Sequence, residues 1–130
     1  MKRLSLAIVA AALLAGSVGL VAHVQSQNFT LVNQTGLTIA ELYLSPTKEK
    51  TWGDDILGEG VLEDNHKMEI KFHHSATACH WDMKVVDSRK SSYEWSNINL
   101  CEECDIITIK YDADTKETSA FCKTGHPATR

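Results

Sequence analysis

Four cysteines, Cys79, Cys101, Cys104 and Cys122, all lie downstream of an N-terminal segment built like an export signal. Met1-Lys2-Arg3 is a basic start, an apolar run follows over residues 4–22, and residues 23–27 turn polar. Residues 1–26 therefore read as a signal peptide. Cleavage after Ser26 leaves Val24 and Ser26 at the recognised positions, and cleavage after Ala22 is the second choice. The alternative is an uncleaved membrane anchor, because the run is nearly long enough to span a bilayer. No cysteine closely follows the run, which argues against a lipoprotein. Export to the periplasm or the cell exterior puts the thiols where they pair rather than stay free. A chain whose cysteines become cross-links has to fold around them.

Residues 27–130 make one domain, enough for a single hydrophobic core. Seven short β-prone runs separated by turn residues fall at about 29–33, 38–44, 68–72, 80–87, 93–96, 106–111 and 118–122. This spacing predicts an all-β fold, a small antiparallel β-sandwich of about seven strands. The one long irregular stretch is 45–67. Within it Thr51-Trp52-Gly53-Asp54-Asp55-Ile56-Leu57 suits a helical turn, capped by Thr51 or Asp54 and ended by Gly58 and Gly60. No internal repeat or low-complexity linker interrupts the pattern.

Charge narrows the partners. Lys2 and Arg3 belong to the signal, so 11 of the 13 basic residues remain against 17 acidic ones, a formal charge of −6. No basic patch is left to track phosphates, which argues against nucleic acid. Acidity serves solubility first, with a basic protein surface as the sharper reading.

Four cysteines permit three pairings, and the sequence does not choose among them. The last hairpin favours one. If residues 112–116 turn so that Tyr111 pairs with Thr115, Cys104 faces Cys122, and Ile107, Ile109, Tyr111 and Phe121 share a face. Cys79 is then left for Cys101. Each bridge closes a loop of about twenty residues, worth roughly 3 kcal/mol in the chain-entropy model. Cys101-Glu102-Glu103-Cys104 also has the spacing of a redox dithiol, but it precedes a strand rather than opening a helix, and its two carboxylates would raise thiol pKa values. The same spacing matches one arm of a zinc site. A metal reading, zinc or copper, would use His73, His74 and His80 beside Cys79, although no second arm of known spacing follows.

Trp52, Asp54 and Asp55 form the candidate interaction site, since long loops often carry function and an indole beside carboxylates suits an interface anchor. The structural alternative has Trp52 folding back to plug one end of the sandwich. Asp54, Asp55, Glu63 and Asp64 are oxygen ligands suited to calcium, without any EF-hand pattern. Trp81 and Trp95 read as core. Asp82 and Lys84 are expected on the solvent face, with Met83 and Val85 inward. There is no Gly-x-Ser-x-Gly elbow, phosphate-cradling glycine loop or His-Glu-x-x-His, so no catalytic residue and no cofactor is assigned. Sequons at Asn28 and Asn33 would matter only in a eukaryotic secretory pathway.

Several motifs occur in a familiar order: Phe29-Thr30-Leu31-Val32-Asn33-Gln34-Thr35-Gly36, Glu41-Leu42-Tyr43-Leu44-Ser45-Pro46 and Asp54-Asp55-Ile56-Leu57-Gly58. They continue with Cys79-His80-Trp81-Asp82-Met83-Lys84-Val85-Val86 and Trp95-Ser96-Asn97-Ile98-Asn99-Leu100-Cys101. On these residues the chain resembles a family of small exported bacterial proteins of unknown function. The resemblance implies a β-sandwich with a Cys79–Cys101 bridge. Cys104 and Cys122 are additions to the family pattern, and Asp87-Ser88-Arg89-Lys90 replaces a tighter acidic, glycine-containing turn. Some members carry the name argininosuccinate lyase. Such lyases are large helical tetramers, and this chain is far too short to be one. The expectation for function is an exported, non-catalytic binding module for a protein or small ligand. The alternative is a metal-binding protein using the His cluster. Membrane contact is expected only through an uncleaved signal.

Overall fold

The computed structural model describes residues 27–72 and 76–124; the segment read as a signal peptide lies outside them. Seven strands appear where the alternation placed them. They are β1 (Phe29–Gln34), β2 (Ile39–Pro46), β3 (Lys67–Ile70), β4 (His80–Asp87), β5 (Ser92–Asn99), β6 (Ile106–Asp112) and β7 (Glu117–Lys123). They form a four-stranded sheet in the order β3-β1-β6-β7 and a three-stranded sheet in the order β2-β4-β5. The pairing is antiparallel except between β1 and β6, which run parallel. A parallel neighbour needs a long crossover, and everything from β2 to β5 supplies it. Among the described residues there is no helix. The stretch 51–57 is extended into a turn over residues 56–59, with Gly58 at φ +57°.

Inward positions of both sheets make the core: Phe29 and Leu31 of β1, Leu42 of β2, Met83 and Val85 of β4, and Ile107 and Ile109 of β6 are all buried. Leu57 and Leu62 join them from the long connection. Trp81 and Trp95 are half-buried against this core, and the Trp81 ring meets Phe72 edge-on at 4.8 Å between centroids.

Both bridges form as the hairpin argument favoured, Cys79–Cys101 and Cys104–Cys122. The register behind that argument is different. Tyr111 pairs with Thr118, not Thr115. The turn is longer because the Asp112 carboxylate accepts the N–H groups of Asp114 (2.8 Å) and Thr115 (3.2 Å), and Lys116, at φ +61°, closes it by donating to the Asp112 carbonyl. Two consequences follow. Cys122 lies opposite Ile107, and Cys104 reaches it from before the strand, with Cα atoms 4.8 Å apart. Phe121 lies opposite Thr108 and moves to the outer face, away from Ile107 and Ile109, where it is 55% exposed.

The segment Cys101-Glu102-Glu103-Cys104 carries the chain from one sheet to the other. Each of its cysteines is tied back into the sheet on its own side.

Candidate functional site

The long connection does not hang from the sandwich. After β2, Glu49 and Lys50 donate to the Pro46 carbonyl, reversing the chain, and Lys50 takes φ +49°. Thr51 N–H then donates to the buried Ser45 hydroxyl at 2.9 Å, which sets Trp52 against the outer face of the three-stranded sheet. There Lys84, paired across the ladders with Tyr43 and Glu94, holds its ammonium 4.7 Å from the Tyr43 ring centre and 5.1 Å from the Trp52 ring centre. A cation between two aromatic faces is attracted by both quadrupoles. Trp52 therefore packs on Lys84 rather than plugging an end of the sandwich. Tyr43 donates its hydroxyl proton to Glu41 at 2.8 Å. That hydrogen bond, then partial burial and the charges of Glu41 and Asp55, raises the phenol pKa above its ordinary value.

Asp55 is committed to the fold. Its Oδ1 accepts the Leu42 N–H at 2.9 Å and the Leu57 N–H at 3.0 Å, while Ile56 N–H donates to the Leu42 carbonyl. The connection thus covers the open edge of β2, helped further along by the Ile39–Leu62 bridge. The capping role expected of Thr51 or Asp54 falls to Asp55, and Asp54 is exposed. Asp64 accepts the Gly36 N–H, and Glu63 lies 3.9 Å from His66. The four carboxylates considered for calcium are thus spread along the segment. Among the described residues no three His, Cys, Asp or Glu side chains come together as a metal centre. His80 is exposed at the start of β4, and His73 and His74 lie outside the described residues.

Asp82 departs from expectation. It does lie on the outer face with Lys84, yet it is buried, because β5 bulges opposite it at Ser96 and Asn97. Asn97, at φ +60°, turns its N–H onto Asp82 at 3.0 Å, and Thr47 donates its hydroxyl from the other side at 2.8 Å. Asp87, also buried, accepts the Arg89 and Ser91 N–H groups and so builds the β4–β5 turn.

Sequence reasoning found Trp52 and missed Tyr43, Lys84, Ile56 and Val61. Alternation alone puts Tyr43 and Lys84 on outward positions, but only the β2–β4 register makes them neighbours. Ile56 and Val61 are 45% and 50% exposed, in the same segment as half-buried Trp52.

No family model matches this chain, and no curated protein matches it either. Among solved structures it is similar to the NMR structure of the protein from Eubacterium rectale, with a TM-score of 0.57 and 12% identity, covering 78% of this chain and 91% of that one. That likeness concerns the fold alone.

Proposed function

We propose that the protein is exported to the periplasm or the cell exterior and acts there as a non-catalytic binding module, with residues 51–62 as its contact surface. The observation that carries this reading is the exposure of Ile56 and Val61, in the same segment as Trp52, on a connection that is itself firmly tied to β2. Exposed apolar side chains on a rigid support suit binding, because little freedom remains to be lost on contact. The surrounding charge suggests the partner. Residues 51–66 contain Asp54, Asp55, Glu59, Glu63 and Asp64 and no lysine or arginine. A protein surface that is basic around an apolar centre is complementary to it. The basic signal-like start and the two disulfides support export.

A photo-crosslinking residue at position 56, used in envelope extract, tests the reading. A discrete protein adduct is expected, weakened by salt and reduced about tenfold or more by Trp52→Ala, as befits an aromatic anchor. Labelling that is diffuse, or indifferent to Trp52, would count against it.

A further inference from the structure

The sandwich has four sheet edges, and three of them are unsuited to pairing. The β2 edge is covered by the long connection, β3 has only four residues, and β5 carries the bulge at Ser96 and Asn97. The fourth, β7, runs for seven residues in unbroken register with β6, and among the described residues β6 is its only strand partner. An edge of this kind is a template for another strand.

The sequence of β7 says which strand. Written against itself antiparallel about Ala120, Glu117-Thr118-Ser119-Ala120-Phe121-Cys122-Lys123 places Glu117 of each copy opposite Lys123 of the other. Thr118 then meets Cys122, and Ser119 meets Phe121. All seven residues pair, with an ion pair at both ends. The two Phe121 rings stand on the same outer face at diagonal positions, within reach of each other. Phe121 is the most exposed large hydrophobic among the described residues, at 55%. Charges at a strand edge ordinarily discourage pairing, but here each meets its opposite.

We propose that two copies of this chain associate through antiparallel β7–β7 pairing centred on Ala120, joining their four-stranded sheets into one of eight strands. The interface is isologous, so every contact off the two-fold axis occurs twice. Being a strand edge with a small aromatic centre, it gives a weak, salt-sensitive dimer rather than an obligate one.

Sedimentation velocity of the full mature chain over a wide concentration range tests this through a charge exchange. Wild type is expected to shift from monomer to dimer as concentration rises, and high salt should weaken the association. Glu117→Lys alone and Lys123→Glu alone each set like charges against each other at both ends and should raise the dimer dissociation constant tenfold or more. The double exchange Glu117→Lys/Lys123→Glu should recover wild-type association. Mixing the two single variants should give a heterodimer, since each then supplies what the other lacks. That recovery separates lost pairing from lost folding. A wild-type chain that stays monomeric to millimolar concentration would overturn the proposal. So would single variants that associate like wild type, or folded single variants that fail to associate when mixed.

Discussion

Asn33 shows how much one side chain settles in this domain. It ends the inward row of β1, wholly buried, where a hydrophobic residue would be the ordinary choice. Its Nδ2 donates to the carbonyls of Leu37 (2.7 Å) and Leu62 (2.9 Å), and its Oδ1 accepts from the N–H and hydroxyl of Thr35. One amide therefore shapes the β1–β2 turn and fastens the long connection to it. The sequon at Asn33 is consequently not a surface site, since a glycan on Nδ2 would replace one of its two donated hydrogens and has no room beside a wholly buried amide. Removing the side chain takes one of two donors from each of the Leu37 and Leu62 carbonyls, which keep the Thr35 hydroxyl and the Ile39 N–H respectively. It also leaves the Thr35 N–H without its acceptor, and a lost partner at a buried site costs about 1–3 kcal/mol before relaxation. Asn33→Ala is expected to lower stability by about 2–4 kcal/mol, read as a lower urea midpoint at unchanged slope. A change below about 1 kcal/mol would mean that water replaces the amide at this position.

At the scale of elements, the strands were legible and the connections were not. Alternating patterns such as Phe29-Thr30-Leu31 and Trp81-Asp82-Met83-Lys84-Val85 report a face directly, because a pleated strand has period two. The register of the last hairpin was not legible, since it depends on Asp112 folding its carboxylate over the following N–H groups. Nor was the bulge opposite Asp82, which follows from a positive φ at Asn97. The candidate site was legible only in Trp52. Its neighbours Tyr43 and Lys84 are distant in sequence and meet through the ladder. Asp55 looked like a surface ligand, yet it is what keeps the connection on the β2 edge. Asp55→Ala is therefore expected to cost about 1–2 kcal/mol, in the range of a lost cap. It should also speed hydrogen exchange at the Leu42 amide, whose acceptor it removes, much more than at buried β4 amides. Unchanged exchange at Leu42 would show that the edge is held without Asp55.

For the whole molecule, the order of the bridges along the chain matters as much as their number. The loops closed by Cys79–Cys101 and Cys104–Cys122 do not overlap in sequence. Each restricts a different part of the unfolded chain, so their entropic effects should add. Interleaved pairings of the same four cysteines would share chain and add less. Each bridge is worth roughly 3 kcal/mol, so the two together, about 6 kcal/mol, rival the whole 5–15 kcal/mol stability typical of a domain. Replacing either pair by alanine should leave a folded but weakened protein. Replacing both should cost the sum of the two, within about 1 kcal/mol, and leave a chain only marginally folded at best. Urea unfolding of the three variants beside wild type measures this directly. Partial reduction offers a second reading of the same architecture. Cys122 is exposed although its partner Cys104 is buried, whereas Cys79 and Cys101 are each half-buried, so alkylation after mild reduction should label Cys122 first. If the Cys79–Cys101 pair were labelled first, or the double replacement cost clearly less than the sum, the two sheets would not be stapled independently. The link at residues 101–104 would then act as one unit with both bridges rather than as a free crossing between them.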